Sequence, residues 1–179
     1  AQVISVDIDG DAAQKTADQA GEFQVKTKAI QADVGDLDDI DQMVQATVDD
    51  FGRLDVIVNN AGVTRRAYIM DLTEEDWDRI HRVNAKGVFF CLQRAAKQMI
   101  EQNGGCIINT ASIAGRGYAG TSNAAYAASK GAVISLTRTA SQQLGQQGVI
   151  PTFPCWSLNL VQGEGCIVPV IEVLLTTSG

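Results

Sequence analysis

The sequence predicts an α/β protein built around a doubly wound, mostly parallel sheet. Runs rich in β-branched residues alternate with segments of helical periodicity at least four times along the chain, which is the pattern of this fold class. In addition, LDVIVNN at 54–60 holds a short continuous apolar run, as expected of a parallel strand that is covered on both faces.

The predicted strands are bounded by turn-forming residues or by helical segments. The second strand precedes an Asp-rich helical segment, and the third ends in the turn-forming sequence Asn-Asn-Ala-Gly at 59–62. We predict strands over QVISVDI at 2–8, VKTKAIQADV at 25–34, LDVIVNN at 54–60 and CIINTAS at 106–112.

Helical segments follow these strands along the chain. Asp36 is the predicted N-cap of the second helix and Gly52 is its stop, because the apolar side chains between them recur at helical spacing. Thr73 and Asp76 have the spacing of a capping box, which predicts another helix start. The predicted helices cover 11–20, 36–52, 73–80, 84–102 and 123–145.

Composition limits the class of function. The chain has 179 residues, 45% of them hydrophobic, which fits one globular domain. Its 21 acidic and 14 basic residues give a net charge of -7, which argues against binding to a nucleic-acid backbone. The longest apolar run near the end, CIVPVIEVLL at 166–175, is far shorter than the roughly 20 residues of a membrane helix. We therefore expect a soluble, cytoplasmic protein without an export signal.

The cysteines form no CxxC pair, and the chain has a single histidine. This pattern excludes the common zinc and redox motifs. We expect reduced thiols and no metal site, with the cysteines at positions 91, 106, 155 and 166.

The last part of the chain differs in composition. From Gly148 on there are only two charged residues and all three prolines of the chain, and no clean helix or strand pattern emerges. We therefore expect one domain over residues 1–148 and an atypical segment over 149–179.

Tyr126 and Lys130 are four residues apart on a predicted helix, so their side chains project from one face. An ammonium about 4 Å from a phenol, at an effective dielectric near 20, supplies about 4 kcal/mol. That is enough to lower the pKa of a tyrosine by about 3 units, although burial acts in the opposite direction. Two interpretations stay open: a proton-transferring pair, or an exposed tyrosine beside a solvated lysine.

Further polar residues stand where predicted strands end. Ser112 lies at the edge where open α/β sheets bind ligands, and its hydroxyl is suited to bond a substrate oxygen. Asn59 and Asn60 end another strand at the same edge. Asn84 stands between two helical stretches, where it either holds a water molecule or kinks the helix. Taken singly, such residues are more often turn or cap residues.

In their order along the chain these motifs resemble the classical short-chain dehydrogenases/reductases, over about residues 2–148. The resemblance implies a Rossmann-like fold in which Tyr126 is the catalytic acid/base. It implies that Lys130 lowers the pKa of Tyr126 and binds the nicotinamide ribose. The motifs are Asp-Val at 33–34, Asn-Asn-Ala-Gly at 59–62, Asn84, Ser112 and Tyr-Ala-Ala-Ser-Lys at 126–130.

Roles for the other motif residues are also implied by the resemblance. Ser112 orients the substrate carbonyl or hydroxyl, and Asn84 positions a relay water. Asp33 and Val34 meet the adenine. The residues expected to shape the cofactor cleft are Asn59, Asn60, Ala61 and Gly62.

Asp7 bears on the choice of cofactor because it ends the first predicted strand. A carboxylate there can accept hydrogen bonds from both hydroxyls of an adenosine ribose, and it repels a 2′-phosphate. NAD is therefore favoured over NADP, although Lys15 leaves room for a phosphate. The alternative is that Asp7 merely caps the strand end.

The sequence departs from this family in two respects. We expect the usual first strand and its Gly-rich, pyrophosphate-binding turn to be lacking, because the string Gly115-Arg-Gly117-Tyr-Ala-Gly120 follows the Ser112 strand instead. We interpret that string as an active-site loop. After Gly148 the family's Pro-Gly turn and substrate loop are also missing, so the substrate cannot be inferred.

Three functional hypotheses follow. The leading one is an NAD(H)-dependent oxidoreductase that interconverts a secondary alcohol and a ketone. The alternative is a non-catalytic, truncated relative that acts as an interaction or regulatory module. The third is an epimerase or dehydratase that uses the same tyrosine. The resemblance also implies a homo-oligomer, a dimer or tetramer, formed through the helices predicted at 84–102 and 123–145.

Overall fold

Strands and helices alternate through the part of the chain that the structure describes. This computed structural model describes residues 2–117 and 122–153 and the strand at 172–176. Its strands are β1 Gln2–Asp7, β2 Thr27–Gln31, β3 Val56–Asn59, β4 Gly105–Asn109, β5 Val149–Thr152 and β6 Glu172–Thr176. Its α-helices are α1 Gly10–Gly21, α2 Leu37–Phe51, α3 Glu74–His81, α4 Val88–Glu101 and α5 Ala124–Leu144. The predicted doubly wound α/β class is confirmed.

Local sequence signals set the helix ends. The Asp36 carboxylate accepts hydrogen bonds from two backbone amides of the first turn of α2, and Gly52 ends that helix in the left-handed region at φ 77°. Thr73 and Asp76 form the predicted reciprocal capping box at the start of α3. The capping predictions are thus confirmed.

Two predicted boundaries are wrong. Strand β4 ends at Asn109, three residues before Ser112, and Ser112 instead caps a 3-10 turn over Ile113–Arg116. The predicted helix over 84–102 begins as a π-helical turn over Arg82–Gly87 that joins α3 to α4. Asn84 lies inside this turn, which interrupts the α-helical hydrogen bonding between α3 and α4.

The sheet has the order β2-β1-β6-β3-β4-β5. The pairs β1–β2, β3–β4 and β4–β5 are parallel, whereas β6 runs antiparallel to both of its neighbours, β1 and β3. The carboxyl ends of β1, β3, β4 and β5 therefore share one edge, which we call the carboxyl edge. Strand β6 reaches this edge with its amino-terminal residue, because Glu172 pairs with Val6.

The sheet continues past Gly148. Strand β5 pairs with β4, and β6 occupies a central position, so parts of the segment 149–179 belong to the sheet. This differs from the expectation that the segment stands apart from the domain over 1–148. The physical reason is that strand pairing with distant residues, rather than local composition, brings 149–152 and 172–176 into the sheet.

The main core lies between the sheet and helices α2, α4 and α5. Alternate strand residues face it, including Ile4, Ile57, Ile107 and Val149, all fully buried. Helix α1 packs on β1 and β2, where Ala13 is fully buried. Within the described residues, no helix combines the length and apolar character required to cross a bilayer.

Neither of the two cysteines in the described residues forms a disulfide. Cys91 is buried in the main core, and Cys106 on β4 is half-buried. Burial raises the pKa of the Cys106 thiol, which keeps it protonated. The cysteines at 155 and 166 lie outside the described residues.

Candidate active site

A buried polar chain connects the carboxyl edge of the sheet to α5. The Asn59 amide donates to Asn109 Oδ1 at 2.8 Å, and the Asn109 amide donates to Thr137 Oγ1 at 2.9 Å. All three residues are at most 2% exposed. Their hydrogen bonds fix the ends of β3 and β4 relative to the helix that carries Tyr126 and Lys130.

Thr110 follows β4 and contacts two of the expected cleft residues. Its hydroxyl donates to Asn60 Oδ1 at 2.8 Å, and its carbonyl accepts from Lys130 Nζ at 2.7 Å. Sequence analysis missed this threonine, although its position directly after a strand at the carboxyl edge is a usable signal. Thr110 therefore holds both the turn after β3 and helix α5 by hydrogen bonds.

Lys130 is 3% exposed. Its amine lies 5.8 Å from the centroid of the Tyr126 ring, within the range of a cation–π contact. Burial lowers the pKa of Lys130 to about 8. The interpretation of an exposed tyrosine beside a solvated lysine is therefore wrong for this pair.

Tyr126 and Ser112 are brought together at the same place. The Ser112 side chain hydrogen-bonds that of Tyr126 and lowers its pKa, but burial of the phenol is the larger effect, so the pKa of Tyr126 is raised above its usual value. Desolvation of the phenol is the larger effect, and the hydrogen bond with Ser112 only partly offsets it. The expectation that Lys130 lowers this pKa stays a prediction.

Asn84 is held by three hydrogen bonds. Its Oδ1 accepts from Val63 N at 2.7 Å, and its Nδ2 donates to Val63 O at 2.9 Å and to Ser129 Oγ at 3.2 Å. Ser129 Oγ in turn donates to the Tyr126 carbonyl at 2.8 Å. The π-helical turn thus joins the loop after β3 to the first turns of α5. Sequence analysis missed Ser129, which lies beside Lys130 in the same motif.

Asn123 fixes the start of α5 below the same loop. It is 5% exposed, and its Oδ1 accepts from Tyr126 N at 2.8 Å. Its amide donates to Thr64 Oγ1 at 3.2 Å and to the Arg65 carbonyl. One cap residue therefore sets both the helix start and the position of the loop opposite Tyr126.

Ala61 and Gly62 lie in the loop between Asn60 and Val63. Ala61 packs against the main core. A Cβ atom on Gly62 would lie 3.5 Å from Asn84 Oδ1 and 3.7 Å from Lys130 Nζ. Gly62 thus adjoins the polar groups of the candidate site, as the cleft prediction requires.

The string 115–120 lies partly beside α5. A Cβ atom on Gly115 would lie 2.6 Å from the backbone carbon of Lys130, so only glycine fits this approach. Gly117, at φ 79°, ends the 3-10 turn that Ser112 caps. Gly120 lies outside the described residues. The described part supports the interpretation as a site loop rather than a strand-to-helix phosphate turn.

Asp33 and Val34, the residues expected at the adenine, follow β2, which is an outermost strand of the sheet. One Asp33 carboxylate oxygen accepts from Arg82 at 2.8 Å and the other from Gly35 N at 2.8 Å. Val34 is buried, and a Cβ atom on Gly87 would lie 2.7 Å from its carbonyl oxygen. The adenine-side loop is therefore packed directly against the π-helical turn that holds Asn84.

Asp7 ends β1 as predicted. Its carboxylate accepts from Asp9 N at 2.9 Å, which is the capping role named as the alternative. That bond uses one of the two carboxylate oxygens. A carboxylate accepts several hydrogen bonds, so this contact and a ribose contact are compatible.

A dinucleotide in this cleft needs support at both nucleotides and at the diphosphate between them. Lys130 and Tyr126 suit the nicotinamide ribose, and Asp7 suits the adenosine ribose. Between these positions stands the amino-terminal end of β6, with Glu172 opposite Val6. In the described ranges, no strand followed by a Gly-rich turn and a helix stands there to present backbone N–H groups to a diphosphate.

Fold and site together define a doubly wound α/β protein with serine, tyrosine and lysine gathered at the carboxyl edge of its sheet. The family described as short chain dehydrogenase matches residues 1–153. The chain belongs to this family of oxidoreductases, whose members use nicotinamide cofactors, and the resemblance inferred from the sequence motifs is confirmed.

A curated relative agrees with this assignment. The chain is 44% identical over 126 residues to the 3-oxoacyl-[acyl-carrier-protein] reductase FabG of Staphylococcus aureus (strain Mu50 / ATCC 700699), and the match covers 70% of this chain and 50% of the relative. The chain thus spans about half the length of this relative.

Solved structures with the same fold bind either form of the cofactor. NAD+-bound xylitol dehydrogenase superimposes with a TM-score of 0.79 at 34% identity, covering 84% of this chain and 58% of that one. A gluconate 5-dehydrogenase from Burkholderia cenocepacia J2315, in complex with NADP and tartrate, gives a TM-score of 0.77 at 29% identity with the same coverage, 84% and 58%.

Proposed function

We propose that this chain acts as an oxidoreductase that interconverts a secondary alcohol and a ketone with a nicotinamide cofactor. One observation carries the proposal. The buried Lys130 amine lies 5.8 Å from the ring centroid of Tyr126, whose side chain hydrogen-bonds that of Ser112. A phenol between a hydroxyl and a buried amine suits proton transfer to or from a substrate oxygen.

Tyr126 is the proposed acid/base. Because burial raises its pKa, the phenol is protonated at neutral pH and has a proton to donate to a carbonyl oxygen. The protonated phenol is the form that reduction of a ketone requires. Ser112 favours the phenolate that forms as the proton leaves, and its proposed second role is to orient the substrate oxygen. The nicotinamide, when bound, supplies or accepts the hydride.

Lys130 is the proposed ligand of the nicotinamide ribose. Its amine is already fixed by the Thr110 carbonyl at 2.7 Å, so a ribose hydroxyl meets a preorganised donor. The side chain of Asn84 is engaged by Val63 and Ser129. We therefore assign the positioning of a relay water to the backbone of its π-helical turn.

The proposed cofactor is NAD rather than NADP. The supporting feature is Asp7, a carboxylate at the carboxyl end of β1, where it repels a 2′-phosphate. Asp33 and Val34 are the proposed adenine contacts, and Asn60, Ala61 and Gly62 the proposed walls of the cleft. The proposed substrate is a small alcohol or ketone.

The test is a titration of NADH followed by nicotinamide fluorescence, together with turnover of an alcohol and ketone panel. In Tyr126→Phe we expect kcat to fall by about 10²–10⁴, with NADH affinity kept within about twofold. Tyr68→Phe is the matched control, because Tyr68 is 84% exposed and has no proposed role. A fully active Tyr126→Phe chain would show that the tyrosine has another role.

A non-catalytic role is the second candidate, and a specific observation favours it. Strand β6 stands where a turn that binds the diphosphate is needed. In that case the chain is an interaction or regulatory module that keeps the site residues without binding dinucleotide. Absence of saturable NADH binding, with the chain folded, would favour this candidate.

A further inference from the structure

We propose that Arg82 is a positioning residue that couples the adenine side of the cleft to the catalytic side around Tyr126. Arg82 begins the π-helical turn Arg82–Gly87. This turn contacts the adenine-side loop, residues 33–35, and it also carries Asn84. The ligand that would act through Arg82 is an adenine nucleoside that lies against this loop.

The ion pair between Arg82 and Asp33 joins the turn to the adenine-side loop. Arg82 Nη1 lies 2.8 Å from Asp33 Oδ2, and Gly35 N donates to Asp33 Oδ1 at 2.8 Å. The side chains of the pair are 43% and 25% exposed, and an ion pair of such exposure contributes little to folding stability because water screens it. Its main effect is therefore geometric, since it fixes the carboxylate relative to the start of the turn.

The adenine-side loop and the π-helical turn also pack closely against each other. A Cβ atom on Gly35 would lie 2.6 Å from the guanidinium carbon of Arg82, so the guanidinium occupies the space that a side chain at this position would take. At the other end of the turn, a Cβ atom on Gly87 would lie 2.7 Å from the carbonyl oxygen of Val34. Because both ends of the turn contact the same loop, the position of the loop determines the position of the turn.

Asn84 connects the turn to the catalytic side. It forms two hydrogen bonds with the backbone of Val63 and donates a third to Ser129 Oγ. Ser129 Oγ donates in turn to the Tyr126 carbonyl. Arg82 and Asn84 are two positions apart in one turn, so the same short backbone segment holds the adenine-side contact and the contact with the helix of Tyr126.

An adenine nucleoside would strengthen this connection, and this step rests on the proposed function. A base that lies against Asp33 removes water from the ion pair, and opposite charges attract more strongly at lower dielectric. The strengthened pair holds the π-helical turn, and with it the contacts of Asn84, in one position. Binding energy from the remote adenine end then serves to order the groups that act on the substrate.

The test follows hydrogen–deuterium exchange of single amides in the full chain by NMR, with and without adenosine. Adenosine is the probe because it carries the adenine and its ribose without any phosphate. The amides of 33–35 report its binding, and the Val63 amide reports the hydrogen bond to Asn84. We expect saturating adenosine to slow exchange of the Val63 amide by at least about fivefold, the lower end of usual coupling factors, while exchange at 105–109 in β4 stays unchanged.

Substitution of Arg82 separates coupling from simple binding. In Arg82→Gln we expect adenosine to slow exchange of the Val63 amide by less than about twofold. Without adenosine, the same variant is expected to exchange this amide at least about threefold faster than the unsubstituted chain. Gly35→Ala places a methyl group against the guanidinium without a change of charge, so we expect an effect in the same direction. Arg94→Gln is the matched control, because Arg94 forms a 2.7 Å ion pair with Asp41 and has no proposed role in the cleft.

Turnover gives a second readout. Reduced nicotinamide mononucleotide is the hydride donor, so that a ketone and a proton are consumed while the alcohol and the oxidised mononucleotide form. We expect adenosine to raise kcat by at least about fivefold in the unsubstituted chain and in Arg94→Gln, and by less than about twofold in Arg82→Gln.

Two results would overturn the coupling: adenosine that binds at 33–35 without slowing exchange of the Val63 amide, or equal slowing in Arg82→Gln and the unsubstituted chain. If adenosine leaves the amides of 33–35 unchanged, the proposed adenine contacts are wrong. In that case, equal exchange of the Val63 amide in Arg82→Gln and Arg94→Gln without adenosine overturns the positioning role, and faster exchange in Arg82→Gln supports it. The expected exchange results without any turnover support the coupling and contradict the oxidoreductase function, so the two proposals fail in distinguishable ways.

Discussion

Gly115 approaches Lys130 so closely that a Cβ atom on it would lie 2.6 Å from the lysine backbone carbon. This contact presses the Ser112 loop against α5 and brings Ser112 to Tyr126. In Gly115→Ala the loop must move away from the helix. We expect the free energy of unfolding to fall by about 1–3 kcal/mol, measured by urea denaturation, and the Ser112–Tyr126 hydrogen bond to be lost.

Gly145→Ala is the control for this substitution. Gly145 follows α5 at φ -57°, and an added Cβ atom would meet nothing within 4 Å. We expect it to leave stability unchanged or to raise it by about 0.4–1 kcal/mol. Equal destabilisation by both substitutions would show that the close approach of the loop to α5 does not explain the effect.

The buried amine of Lys130 predicts a pH-dependent stability. Its pKa is lowered from 10.5 to about 8 in the folded chain, so between these values the unfolded chain binds more protons than the folded one. Stability therefore rises with pH in this window. Between pH 8 and 10 we expect the free energy of unfolding to rise by about 2–3 kcal/mol relative to Lys130→Met.

The measurement is urea denaturation of both chains across this pH range. Below pH 8 the difference between them is expected to be constant, because Lys130 is then protonated in both folded and unfolded states. A difference that stays constant up to pH 10 would mean that the amine is solvated in solution.

The sequence signals that succeeded are local. Asp36 caps α2 with its own carboxylate, and Thr73 and Asp76 close a capping box within one turn. Each of these motifs satisfies backbone groups a few residues away, so the neighbouring sequence is sufficient to recognise it. The order of strands and helices was predictable for a similar reason, since their periodicity is local.

The features that sequence analysis missed depend on distant residues. Strand β6 is in the sheet because it pairs with β1 and β3, which lie more than a hundred residues earlier in the chain. The local composition of β6 does not indicate this pairing. The sign of the pKa shift of Tyr126 likewise depends on burial, which only the packed fold determines. The sequence motifs identified Tyr126 and Lys130, but they did not predict the direction in which burial shifts the pKa of Tyr126.

We predict that the Thr137 hydroxyl stabilises the fold through its hydrogen bond with Asn109 at the carboxyl edge. It accepts from the Asn109 amide at 2.9 Å within the buried chain that begins at Asn59. Thr137→Val keeps the shape of the side chain and leaves this amide without its acceptor, so we expect a loss of about 1–3 kcal/mol in the free energy of unfolding. Thr139→Val, at an exposed position of the same helix, is the matched control. Equal effects of the two substitutions would argue against a buried polar link.

We expect assembly of the homo-oligomer to be sensitive to a substitution on α5. Small side chains form an exposed stripe along this helix, and Phe89 on α4 is 40% exposed. Two such helix faces can approach closely, so an arginine at Ala132 introduces bulk and charge into the contact. We expect Ala132→Arg to sediment as a monomer while the unsubstituted chain sediments as a dimer or tetramer. Gln14→Arg, on the exposed face of α1, is expected to leave assembly unchanged. A monomeric unsubstituted chain would contradict assembly through these helices.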